Sequence, residues 1–341
     1  MVHAAERLWR AGPPRIRHWP GTRVRALLAG VGYAWLFHAT SCLIAGALVA
    51  GCGDEPLHPF FTAQRRPLVF AHRGGGGVAP EATLDTFVAA QARNPEAVIE
   101  FDVHSSSDGR IVVIHDDTVE RTTNGHGRVV EQTLAELQAL DAGYCATPGI
   151  GIGTADDGDC HDADPARFPF RGLGYRIPTM DEVFAALPMG AYVSVELKQP
   201  GIEPELAAAL RASGRMDHLI VGAELDDVAV RLKDLLPELP HYYPTAAATC
   251  LALAAKTVGS YAACPHYEAF ASPLSGAGLA LDTKGVLEAA HDDGVAVIYW
   301  TIDQPAEMER LFRLGADGIY TDYPPDAFVV LERLRGQGAL P

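Results

Sequence analysis

The chain has 341 residues, 48% of them hydrophobic, which allows one large domain with a buried core and excludes wholesale disorder. Residues 1–51 hold six Arg and one Glu, so the rest keeps 21 basic against 42 acidic residues, a net charge of −21. A body that acidic excludes nucleic acid as a partner, and a phosphate ester is handled only where a metal or a few Arg and Lys concentrate positive charge.

The arginine-rich start leads into residues 26–50, which carry no formally charged side chain. That run is long enough to span a bilayer with its arginines on the cytoplasmic side. It ends Leu48-Val49-Ala50-Gly51-Cys52 and resembles a bacterial lipoprotein signal, with Cys52 as the lipidated residue. An uncleaved anchor is the competing reading, and a buried helix of the domain a poorer third. Residues 1–52 are thus expected to export the chain to the periplasm or cell surface and tether it to the membrane. Residues 53–66 read as a polar linker, and 67–337 as the folded domain.

Within it, short apolar runs at 68–71, 97–103, 192–197, 218–221, 295–300 and 318–320 read as strands. Amphipathic stretches at 82–93, 179–187, 203–213, 226–236, 283–293, 305–314 and 325–335 read as helices. Thr133 with Glu136 and Thr179 with Glu182 have capping-box form and mark helix starts. Repeated strand–helix units favour an α/β fold of the (β/α)8 TIM-barrel type over an open doubly wound sheet. The segment 240–280 gives no clear assignment.

Residues 141–177, rich in Gly, Pro and Asp, form a long irregular insertion expected to overhang the pocket. Asp156, Asp157, Asp159, Asp162 and Asp164 do not fit an EF-hand spacing. Beyond Cys52 there are four cysteines, Cys145, Cys160, Cys250 and Cys264. Of the three connectivities, local pairing of 145 with 160 and 250 with 264 is preferred, and no C-x-x-C supports a zinc or redox motif.

Glu100 and Asp102 alternate on one strand and face the same side. Two carboxylates held together repel unless a cation or protons intervene, and a hard divalent metal resolves that. Glu196 ends another strand as a third candidate ligand. His72 and His115 each follow an apolar run, and imidazole titrates near neutrality, so one can accept a proton while the other donates. Arg73 and Lys198 are candidates for phosphate oxygens. The run Gly74–Gly77 lacks the lysine of a Walker loop and reads as a flexible turn.

These pieces occur in a fixed order. His72-Arg73-Gly74 precedes Pro80-Glu81-Ala82-Thr83, then Glu100-Phe101-Asp102, His115-Asp116-Asp117, Arg121-Thr122-Thr123-Asn124-Gly125, Glu196-Leu197-Lys198, Trp300-Thr301-Ile302-Asp303 and residues 315–324. Together they resemble the glycerophosphodiester phosphodiesterase family over residues 68–335. The resemblance implies a TIM barrel that hydrolyses glycerophosphodiesters to glycerol 3-phosphate and an alcohol. It implies one Mg²⁺ or Ca²⁺ ion, with Mn²⁺ a third candidate, on Glu100, Asp102 and Glu196. It implies acid/base roles for His72 and His115 and substrate contacts by Arg73, Glu81, Lys198 and Trp300. One departure is Ala82, where the family usually has Asn. A lysophospholipase D, a metal-dependent aldolase or isomerase, and a catalytically dead glycerol-phosphate-binding lipoprotein are the competing readings.

Overall fold

The computed structural model describes residues 56–147, 149, 160, 165–257, 264–276 and 278–340. Cys52 and the acidic run from Asp156 to Asp164 lie outside the described residues. No described helix is long and apolar enough to cross a membrane.

Seven parallel strands form one curled sheet. β1 (Leu68–Ala71) lies between β2 (Val98–Ser105) and β10 (Gly318–Thr321). β4 (Val193–Leu197) and β5 (Leu219–Ala223) extend it beyond β2. β9 (Ala296–Tyr299) and β6 (Ala269–Ser272) extend it beyond β10. The two ends meet through residues 241–243. His241 bridges Val221 and Tyr242 bridges Ala269, both in parallel. The Tyr242 amide donates to Val221 O at 3.0 Å, and the Tyr243 amide to Ala269 O at 2.9 Å. The eighth barrel position is thus a fragment, kept short because Pro240 and Pro244 flank it and carry no N–H for a ladder.

The remaining strands lie outside this ring. β3 (Ile111–Val113) pairs antiparallel with the far end of β2. β7 (Ser275–Gly276) and β8 (Leu279–Ala280) form a small hairpin after β6.

Period-two alternation splits the strands between two cores. Outward residues pack under the helices in two large clusters. Inward residues fill the barrel. At the strands' N-terminal ends Phe60 and Phe61 of α1 (Pro59–Thr62) join Leu68, Val98, Ala269 and Ala296 in one buried cluster. The Phe60 ring also meets that of Tyr192 at 5.3 Å. Burial of each phenyl contributes about 1.5–3 kcal/mol. The plugged end leaves the C-terminal rim for polar side chains.

Between β3 and β4 the chain leaves the barrel and builds a satellite core from Val112, Ile114, Val119, Val129, Leu137, Ala142 and Ile177. Thr133 and Thr179 both form the expected capping boxes, at α3 (Leu134–Gln138) and α4 (Met180–Ala186). Cys145–Cys160 and Cys250–Cys264 are disulfide-bonded, the local pairing preferred from the sequence. Arg171 lies 3.9 Å from the Tyr144 ring centroid and donates to the carbonyls of Tyr144 and Cys160, each at 2.6 Å. The Gly149 amide reaches Gly77 O at 3.0 Å, which sets the insertion against the loop that follows β1.

That loop is built, not flexible. The Gly77 amide donates to Asp322 O at 3.1 Å, and a Cβ on Gly77 would lie 2.5 Å from the Tyr323 ring. A side chain at Gly77 would have to push the Tyr323 ring aside.

Candidate active site

β2 delivers two of the acids to the barrel interior, and the β2–β4 register sets Asp102 beside Glu196. One oxygen from each of Glu100, Asp102 and Glu196 lies within 4.8 Å of the others. Burial, with Asp102 alongside, pushes Glu100 up to about 8. Burial would raise Glu196 too, but the Lys198 ammonium holds it below the usual carboxylate range. Lys198 Nζ lies 3.1 Å from Glu196 Oε1, 3.3 Å from Asp102 Oδ1 and 3.7 Å from Glu224 Oε2. One ammonium therefore balances the Asp102–Glu196 side, while at Glu100 burial and the neighbouring Asp102 outweigh the Arg73 amide, His72 and the Arg73 guanidinium. Three convergent carboxylate oxygens with surplus negative charge suit a hard divalent cation.

His72 follows β1 directly and donates through Nδ1 to Asp322 Oδ1 at 2.7 Å. Asp322 follows β10, the strand beside β1. Its own amide donates to Asp303 Oδ1 at 2.9 Å. Burial and Arg73 lower His72, but Asp322 outweighs them and its affinity for a proton is raised. His115 follows β3 and donates through Nδ1 to Asp116 Oδ1 at 2.6 Å. Burial first, then Arg73, Lys198 and Arg121, holds His115 well below its ordinary value. The site therefore pairs a readily protonated imidazole with a neutral one.

A chain of ion pairs ties these groups together. Arg121 donates to Asp116 Oδ2 at 2.6 Å and to both Glu81 oxygens, at 2.7 and 2.8 Å. Glu81 also accepts from Arg73 Nη1 at 3.1 Å. The two guanidiniums overcome burial and hold Glu81 at about 2. The Arg73 amide donates to Glu100 Oε2 at 2.7 Å, and its Nε lies 3.5 Å from Asp102 Oδ2. Glu81 is therefore gripped by two arginines, one of them Arg73.

Arg73 and Ala82 both sit in the left-handed region, at φ 51° and 55°, and the Ala82 amide donates to Arg73 O at 2.9 Å. Asn tolerates that backbone better than Ala. Ala82→Asn is expected to stabilise the protein by about 1 kcal/mol, read as a raised denaturant midpoint with unchanged slope.

The structure brings His72, Arg73, Glu81, Glu100, Asp102, His115, Glu196 and Lys198 to one rim of the barrel. Trp300 follows β9 on the face that Ile298 shares with the interior, and its buried indole N–H meets no acceptor among the described residues. The sequence reading missed Asp116, Arg121 and Asp322 as partners. Asp116 was visible beside His115 in the chain, but Asp322 lies 250 residues from His72.

The profile of the glycerophosphoryl diester phosphodiesterase family matches residues 72–326. A glycerophosphodiester phosphodiesterase of Caldanaerobacter subterraneus subsp. tengcongensis is 31% identical over 281 residues, covering 80% of this chain and 100% of that protein. One from Bacillus subtilis is 29% identical, covering 76% of this chain and 84% of that protein. A phosphodiesterase of Oleispira antarctica, solved in complex with the product sn-glycerol-3-phosphate, superposes with TM-score 0.58 at 26% identity, covering 80% of this chain and 99% of that one. The barrel, the order of its rim residues and the extent of these matches agree, and the chain belongs to the glycerophosphoryl diester phosphodiesterase family.

Proposed function

We propose that this phosphoric diester hydrolase cleaves glycerophosphodiesters to sn-glycerol 3-phosphate and an alcohol. One observation carries the reading: two imidazoles, each backed by its own carboxylate, have opposite proton affinities beside three convergent acids. The named relatives support the substrate class.

Glu100, Asp102 and Glu196 would hold Mg²⁺ or Ca²⁺, with Mn²⁺ a third candidate. Such an ion, when bound, supplies positive charge at a phosphate oxygen in an otherwise acidic protein. Arg73 and Lys198 add cationic donors for non-bridging oxygens, and the Trp300 indole donates to another substrate oxygen. Asp116 fixes the proton on His115 Nδ1, so Nε2 carries the lone pair that takes a proton from the attacking hydroxyl. His72, protonated and held by Asp322, returns a proton from Nε2 to the departing alcohol.

The acid must be protonated, so activity falls as pH rises through the raised His72 value. Asp322→Asn removes the charge that raises it. The alkaline limb of kcat/KM is expected to move down by about one pH unit or more, measured on glycerophosphocholine. The reading as a whole is tested by turnover of glycerophosphocholine, glycerophosphoethanolamine and lysophosphatidylcholine, with EDTA and each metal added back. Metal-dependent release of glycerol 3-phosphate from the first two is expected. Choline release from lysophosphatidylcholine alone would transfer the chain to the lysophospholipase D class.

Residues 1–52 join the proposal as an export signal or anchor that keeps the enzyme at a membrane. The two disulfides fit an oxidising compartment.

A further inference from the structure

β2 carries a third imidazole on the face that presents Glu100 and Asp102. His104 is 2% exposed. Its Nε2 lies 3.2 Å from His115 O, and since a carbonyl only accepts, Nε2 bears the hydrogen. No acceptor among the described residues stands by Nδ1 to hold a second proton, so the buried ring is neutral and Nδ1 carries a lone pair. That Nδ1 is buried and meets no donor among the described residues. Asp102, Lys198 and Asp117 are the charged groups whose fields reach the ring.

A buried acceptor without a donor is costly, and in a binding site it marks the place of a ligand hydrogen. Phosphate oxygens of a diester only accept, so they cannot fill it. Glycerol hydroxyls can. We propose that His104 is a specificity-determining residue whose Nδ1 accepts a hydrogen bond from a glycerol hydroxyl of the substrate. Its Nε2–H at the same time holds the His115 carbonyl. The inference rests on the glycerophosphodiesterase reading and deepens it. His104 would let the site distinguish a glycerol phosphate from a bare phosphate, a choice that Arg73 and Lys198 cannot make.

Two substitutions separate the two nitrogens. In His104→Gln the side-chain amide reaches as far as Nε2 and keeps the donor to His115. In His104→Asn the amide oxygen stands near Nδ1 and keeps the acceptor. Binding of sn-glycerol 3-phosphate and of inorganic phosphate is measured by calorimetry on both variants and the wild-type protein, each loaded with Mg²⁺ or Ca²⁺. The wild type is expected to prefer glycerol 3-phosphate. His104→Gln should weaken glycerol 3-phosphate by about tenfold and leave inorganic phosphate within threefold. His104→Asn should keep most of the preference.

Equal weakening of both ligands in His104→Gln overturns the proposal and leaves His104 as a support for His115 alone. Unchanged binding of both, or a wild type without the preference, overturns it as well. A wild type that selects glycerol 3-phosphate yet turns over no glycerophosphodiester would sink the hydrolase reading and leave this one standing.

Discussion

His115→Ala is expected to lower kcat on glycerophosphocholine by about 10²- to 10⁴-fold, with bound metal and KM little changed. The loss falls on kcat because the ring moves a proton only in the transition state. His72→Ala should cost a similar factor, but its signature differs. Loss of the acid removes the alkaline limb of the pH profile, while loss of the base removes the acidic one. A substrate with a good leaving group, such as a nitrophenyl diester, needs less protonation and should rescue His72→Ala more than His115→Ala. If both variants keep near wild-type turnover with metal content verified, the imidazoles are not the proton carriers.

Uptake of a divalent cation should strengthen steeply with pH. Without a cation, Glu100 is pushed up to about 8 by burial and by Asp102, so at pH 7 it is mostly protonated. A carboxylic acid ligates poorly, and binding must expel that proton. Affinity is therefore expected to fall by about tenfold per pH unit below 8 and to level off above it. Calorimetry at pH 7 in buffers of different ionisation enthalpy should count close to one proton released per ion. Glu196→Gln should cost at least about tenfold in affinity while leaving the proton count unchanged, because the removed carboxylate is already ionised. An affinity flat between pH 6 and 8.5 would place the cation elsewhere.

Much of this was legible in the chain. The expected strand 68–71 matches β1 residue for residue, and the expected helix 305–314 is observed as Pro305–Leu314. Those elements carry strong local signals: apolar runs of strand length, a Pro at the helix start and a Gly at its end. The segment 240–280 resisted because one of its two barrel strands is a proline-bounded fragment, held between Val221 and Ala269, and the other is the four-residue β6. The Ala-rich helix that follows, α7 (Thr245–Thr257), lacks a clear polar face.

At the site, residue types and their order announced the acids and histidines. What the sequence could not show was pairing across the barrel. Asp322 meets His72 only because β10 lies beside β1, and Glu81 meets Arg121 only because the satellite core folds back over the rim. The glycine run was underestimated for a related reason. Two of its packing partners, Pro324 against Gly75 and Tyr323 against Gly77, arrive from the other end of the chain.

The phenylalanine plug has a bearing on orientation. Only seven residue steps separate Cys52 from Pro59, a reach of about 25 Å at full extension. Under the proposal that Cys52 carries a lipid, the described chain would run toward that anchor from Pro59 at the plugged base, on the side opposite the catalytic mouth. An enzyme moored base-down in this way would draw on dissolved, deacylated diesters, while lipids still embedded in the leaflet below would stay out of range.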